Sequence, residues 1–152
     1  MNTVTEWLGD RVDVSRTTMG LFAGDLALIT LFVVVGEISH GVDPIALAGY
    51  VVTNTLAPFV VGWLLVSIPV GMYGVATRES ASRVALRTAG AWFGADVIAQ
   101  AIRSTSYIQG GASLQAILVF GFISFAVGGT LLVAWRAGTT LVRSRRRSTA
   151  LA

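Results

Sequence analysis

The chain of 152 residues contains no cysteine and no lysine, one histidine (His40) and three prolines. Without thiols, disulfides, iron–sulfur clusters, thiolate metal sites and a cysteine nucleophile are all excluded. A single imidazole excludes paired-histidine metal motifs, and no nucleophile elbow, phosphate loop or HExxH pattern occurs. An enzyme is therefore not expected, and neither is a cofactor or a metal. Charge is scarce too, at 12% of residues, whereas 54% are hydrophobic. A domain this small still exposes much of its surface, so a soluble globule could not hide that many apolar side chains. A bilayer supplies the missing apolar surroundings.

All eleven basic residues are arginine, and the formal net charge is +3. They lie between and beyond the apolar runs rather than along one face with interleaved aromatics, which argues against nucleic acid as a partner. Their arrangement fits the excess of basic residues on the cytoplasmic side of membrane proteins.

Residues 1–18 are polar and carry Glu6, Asp10 and Asp13, unlike a basic signal-peptide leader. Thr3 and Glu6 have capping-box spacing, and Val4, Trp7, Leu8 and Val12 recur at helical intervals, so either a short amphipathic segment on the inner membrane surface or a frayed terminus is expected. Residues 19–136 form the membrane domain, with spans at about 19–38, 45–73, 84–102 and 114–135, since about twenty apolar residues cross the hydrocarbon core. The third span contains Arg87, Asp96 and Gln100 and would be costly to insert alone. Parity requires it. With three crossings the basic tail, residues 137–152 with Arg143, Arg145, Arg146 and Arg147, would lie outside. With four, ten of the eleven arginines lie inside and only Arg103 outside. Such a marginal helix should be the one most enclosed by its neighbours. The tail then touches anionic lipid headgroups.

The expected fold is all-α and integral to the cell membrane: a four-helix transmembrane bundle with both termini cytoplasmic. Gly20-Leu-Phe-Ala-Gly24-Asp25 resembles Gly90-Ala-Trp-Phe-Gly94-Ala-Asp96, and Phe59-Val-Val-Gly62 echoes Phe125-Ala-Val-Gly128. Two tandem helical hairpins would explain both echoes. The glycine pairs let backbones approach, so the first and third spans are expected to pack on each other or on a second copy.

Polar residues at membrane depth are the candidate site, because burying an ionisable side chain there costs free energy that something must offset. Asp96 and Asn54 fall at similar mid-membrane depth. Pro58 crowds the carbonyl four residues earlier, that of Asn54, and removes a helical bond. A site of Asp96, Asn54, Gln100 and Pro58 is thus expected, either to handle a proton or cation or to tie helices together. Trp92, Asp96, Gln100 and Arg103 share one helical face. Asp25 lies nearer the cytoplasm, within reach of Arg87, and Glu37 matches Arg103 in depth at the outer end, which suggests two ion pairs. Ser39, His40 and Gly41 should cap the first span, a fitter role than a metal site with Glu37 and Asp43.

Phe22-Ala-Gly-Asp25, Phe32 through Gly36-Glu37-Ile38-Ser39-His40-Gly41, Pro58-Phe-Val-Val-Gly62-Trp63 and Leu131-Leu-Val-Ala-Trp135-Arg136 together resemble the pattern of a known family. It comprises small four-span prokaryotic membrane proteins catalogued as a domain of unknown function, found in haloarchaea and actinobacteria. The resemblance covers about residues 19–136 and is most specific at the aspartate, the Ser-His-Gly turn and the closing Trp-Arg. It implies a four-helix membrane fold and no particular activity. The family pattern has a basic residue where this chain carries Glu37. The expected task is structural or accessory, with the lipid bilayer and a second copy or another membrane protein as partners. The alternative is a small oligomeric proton-coupled transporter or channel using Asp96 with Asn54.

Overall fold

The computed structural model describes residues 7, 9, 11–74, 80–108 and 113–150, without the side chains of 147 and 150. Among the described residues four long helices follow one another: α1 (Arg16–Ser39), α2 (Ala48–Ser67), α3 (Ala81–Arg103) and α4 (Leu114–Ala150). Among the described residues the only β feature is one parallel bridge between Val12 and Tyr73.

Local chemistry sets the helix ends. Ser15 is extended and its hydroxyl accepts from the Thr18 N–H at 3.3 Å, opening α1. Ser80 does the same for α3 with the Arg83 N–H at 3.3 Å. Both side chains satisfy backbone donors that a first helical turn leaves without partners. Helix α1 closes as the capping reading expects: the Ser39 hydroxyl donates to the Gly36 carbonyl at 2.6 Å, and Gly41 takes φ +78°, which only glycine adopts freely.

The expected amphipathic segment corresponds only partly to what is seen. Thr3, Val4, Glu6 and Leu8 lie outside the described residues. Val12 is not helical but pairs with Tyr73, and the Asp13 N–H donates to the Tyr73 carbonyl at 3.1 Å. Arg11 fastens this stretch by donating to the Pro69 carbonyl and stacking 5.7 Å over the Trp7 ring.

In the turn before α2, the Asp43 carboxylate accepts from the N–H groups of Ile45 at 2.9 Å and Ala46 at 3.1 Å. The Ala46 bond, then the Ile45 bond, holds this exposed carboxyl below the usual carboxylate range. A depressed folded-state value means that the stabilisation is complete above the unfolded value, near pH 4, and is lost as pH falls through the lower folded value. Unfolding followed from about pH 6 to about pH 3 should therefore show a shallower acid decline in Asp43→Ala than in the wild type.

Helix α2 is shorter than the expected span over 45–73. It begins at Ala48, ends at Ser67, and Ile68 to Gly71 forms a turn in which Gly71 takes φ +73°. Pro69 cannot continue the helix, and the glycine lets the chain reverse. Pro58 does not break α2 open. One π-helical turn, Val52–Leu56, widens the coil just before the proline, and the Ala57 N–H reaches back to the Val52 carbonyl. Helix α4 is longer than its expected span and carries the basic tail within it, through Arg143, Arg145 and Arg146 and along the backbone of Arg147.

Three helices, Arg16–Ser39, Ala48–Ser67 and Leu114–Arg146 of α4, are long and apolar enough to cross a membrane. Helix α3 is the polar one, and it is the most enclosed. It buries nine of its 23 residues where α1 buries six of 24. The buried set Val84, Thr88, Ala91, Trp92, Ala95, Asp96, Ala99, Gln100 and Arg103 recurs every three or four residues and lies against α2 and α4.

Close packing differs from the expected meeting of α1 with α3. Gly20 and Gly90 have open space beside them, Gly24 faces the Trp135 ring of α4, and Gly94 faces Val66 of α2. The backbones of Gly62 and Ala95 come close where α2 meets α3, so that a Cβ at Gly62 would overlap the Ala95 carbonyl oxygen. Gly128 and Gly129 of α4 make room for Trp92, whose Nε1 donates to the Ser124 carbonyl at 3.0 Å. A glycine pair thus matters only where a bulky neighbour needs the space. Trp92 stacks on Phe59, with centroids 5.5 Å apart and planes 16° apart, and Phe32 sets its edge against both rings.

Candidate functional site

Three polar clusters lie along this aromatic core. The first is at the end where α1 begins. Asp25 is fully buried, and Arg136, 2% exposed, reaches it from α4. Arg136 Nε donates to Asp25 Oδ1 at 3.0 Å and Oδ2 at 3.2 Å, and Nη2 donates to Oδ2. Nη1 donates to the Met72 carbonyl at 2.9 Å. A chain of donors completes the shell: Trp63 Nε1 to the Tyr73 hydroxyl at 2.8 Å, and that hydroxyl to Asp25 Oδ2 at 2.8 Å. The guanidinium also lies 4.8 Å from the Tyr73 ring centroid and 5.7 Å from that of Trp63. One carboxylate therefore binds α1, α2, α4 and the turn after α2 into a single unit.

This corrects the expected pairing of Asp25 with Arg87. Arg87 is exposed on the far side of α3, while Thr88 and Val84 take the buried face. Spacing along the chain could not reveal Arg136, which is 111 residues away. The signal was nevertheless present, since Asp25 and Trp135-Arg136 are, with the Ser-His-Gly turn, the most specific elements of the resemblance. Trp135 itself fills the notch at Gly24.

The second cluster surrounds Asp96. Its Oδ1 accepts from the Ser124 hydroxyl at 2.5 Å and from Gln100 Nε2 at 3.0 Å, and Gln100 also lies 3.4 Å from the Ser124 hydroxyl. Asn54 is not part of it. Its amide donates to the Tyr50 carbonyl and the Thr53 hydroxyl, both at 3.0 Å, because the π turn directs it along its own helix. Pro58 is buried beside Phe59 and bears no polar partner for Asp96. Ser124 was the missed member, a fully buried hydroxyl that nothing in its local sequence distinguishes. Asp96 and Gln100 also border a lateral cavity of about 440 Å³ walled by Phe93, Phe122 and Phe125.

The third cluster is at the opposite end from Asp25. Glu37 and Arg103 both line a cavity of about 510 Å³, together with His40, Tyr50, Thr55, Phe32, Phe120 and Ile123. They do not form the expected ion pair. Glu37 Oε1 accepts from the Thr55 hydroxyl at 2.5 Å, Thr55 being turned inward by the π turn. Arg103 lies over the Phe120 ring at 3.9 Å and the Phe59 ring at 5.9 Å, and its Nε and Nη1 are buried without an acceptor. Among the described residues no three acidic or histidine side chains converge as metal ligands would.

No curated protein and no solved structure matches the chain. The model of a family described as protein of unknown function, DUF3054, matches residues 22–139, a stretch that holds all three clusters from Asp25 to Arg136. The match spans most of the sequence, and the chain belongs to that family.

Proposed function

We propose that the protein is a four-span, multi-pass protein of the cell membrane with both termini cytoplasmic, and that its task is structural or accessory rather than enzymatic. Three apolar helices and a polar α3 wrapped by two of them support four crossings, since enclosure offsets the cost of Asp96 and Gln100 at depth. The arginines of the tail then meet anionic headgroups on the inner face, where a second copy or another membrane protein could also dock.

The observation that carries the accessory reading is the way its interior acids are bound. Asp25 is gripped on both oxygens by an arginine and a tyrosine, and Asp96 accepts from Ser124 of α4 and from Gln100 one turn on in α3. Carboxylates so bound are ties between helices, in keeping with hydrogen bonds across membrane helices. The separation of Asn54 from Asp96 removes the pair on which a proton path would have drawn. One feature favours transport as the second reading, namely the cavity beside Asp96.

Proton flux in liposomes separates the two. Vesicles holding the wild type, Asp96→Asn or Asp96→Leu should lose a pH gradient no faster than protein-free vesicles. Asp96→Leu should also unfold more readily at every pH, by about 1–3 kcal/mol, because Ser124 and Gln100 lose their acceptor. Flux that the wild type supports and Asp96→Asn abolishes would establish transport instead, and an Asp96→Leu variant more stable than the wild type would show that Asp96 is not a tie between helices.

A further inference from the structure

The cavity at the outer end holds two opposite charges apart. In surroundings of low polarity, a carboxylate and a guanidinium free to move would close into a hydrogen-bonded pair. Here each is restrained separately. The Thr55 hydroxyl holds Glu37 Oε1, and the rings of Phe120 and Phe59 hold the Arg103 guanidinium. Glu37 Oε2 has no donor among the described residues. Arg103 is 8% exposed, yet its Nε and Nη1 have no acceptor among the described residues. A buried cation with unused donors is costly and calls for an oxyanion. The carboxylates whose charge bears on it are those of Glu37 and Asp96, and neither bonds to its Nε or Nη1.

We propose that this cavity binds a zwitterionic headgroup, its phosphate or carboxylate drawn to Arg103 and its ammonium to Glu37, with the apolar part of the ligand against Phe32, Phe120 and Ile123. The volume of about 510 Å³ lies within the range of small-molecule sites, and the mixture of apolar wall with a few placed charges is typical of them. The π turn contributes by turning Thr55 onto Glu37, which keeps the carboxylate from collapsing onto Arg103. Net neutrality of the lining pair selects against a simple anion, because Glu37 would repel a ligand that has no ammonium. Two sources supply such a ligand: an aminophospholipid from the surrounding leaflet, or a free amino acid or amino phosphate.

The test uses the full chain in detergent, titrated with short-chain phosphatidylethanolamine, phosphatidylglycerol and free phosphoethanolamine, with binding read by native mass spectrometry and thermal shift. The wild type should bind phosphatidylethanolamine about tenfold more tightly than phosphatidylglycerol, a difference equal to one charge-assisted contact. Glu37→Gln should bring the two lipids within about twofold, and Arg103→Gln should weaken both by about tenfold or more. Glu37 is part-exposed, so its variant keeps the test valid should Arg103→Gln fail to fold. Binding of free phosphoethanolamine that competes with the lipid assigns a soluble source, and binding of the lipid alone assigns the leaflet. Equal affinity for both lipids in the wild type would overturn the proposal, as would a preference that survives Glu37→Gln. None of these outcomes depends on whether the protein conducts protons.

Discussion

Asp25→Asn and Arg136→Gln should each destabilise the protein by about 3–5 kcal/mol, whereas the double variant Asp25→Leu/Arg136→Met should lose much less than the two singles together. The reason is the asymmetry between removing one charge and removing both. Asp25→Asn leaves a guanidinium 2% exposed without its counter-charge, with one amide oxygen, the Met72 carbonyl and two aromatic faces for company. Arg136→Gln leaves a carboxyl whose remaining donor is the Tyr73 hydroxyl. The double variant leaves no charge behind, and its apolar side chains approximate the lost volume. Tyr73 then loses its acceptor but keeps the Trp63 donor, so recovery should be incomplete. Equilibrium unfolding by sodium dodecyl sulfate in mixed micelles measures all four proteins on one scale. Singles that unfold with the wild type would show that the cluster is not a tie.

Gly62→Ala should be nearly as harmful, and Gly90→Ala harmless. A Cβ at Gly62 would overlap the carbonyl oxygen of Ala95, a backbone atom that can yield only if α3 as a whole moves away from α2. That shift would disturb the Phe59–Trp92 stack one turn away and, through α3, the groups around Asp96. Overpacking of this kind costs about 1–3 kcal/mol where the neighbours can adjust, and the rigid partner here puts the expected loss at the top of that range. Gly90 has nothing within reach of a Cβ, and alanine is the better helix former by about 1 kcal/mol, so Gly90→Ala should hold or raise stability. The same micellar titration decides it. Equal behaviour of the two variants would mean that α2 and α3 do not pack backbone to backbone at Gly62.

The two glycines look alike in the sequence, since each sits in an apolar run with a small residue or a second glycine nearby. Only the neighbour differs, and the neighbour comes from another helix. The candidate site divides in the same way. Gln100 was readable as a partner of Asp96 because four residues place both on one face of α3. Ser124 was not, because its contact spans 28 residues and depends on how α4 is rotated about its axis. Asn54 was assigned to Asp96 on depth and on the carbonyl that Pro58 crowds. Depth fixes height along the membrane normal but not the direction in which a side chain points, and the π turn had already changed that direction.

What the sequence by itself determined is the solvent and the segmentation. An apolar majority with sparse charge points to surroundings other than water, and apolar runs separated by polar, glycine- or proline-bearing stretches mark where the helices lie, while the ends of α2 at Ser67 and of α4 beyond residue 135 came from the structure. It also determined that the polar third segment must be the enclosed one. The tertiary structure alone decided the partners: Arg136 rather than Arg87 for Asp25, Ser124 rather than Asn54 for Asp96, and Thr55 and the ring of Phe120 in place of a direct bond between Glu37 and Arg103. Helix formation is local and periodic, so it is written in neighbouring residues. The choice among several arginines or hydroxyls at one depth depends on helix rotation and on which small residue admits which ring, and those are properties of the packed bundle.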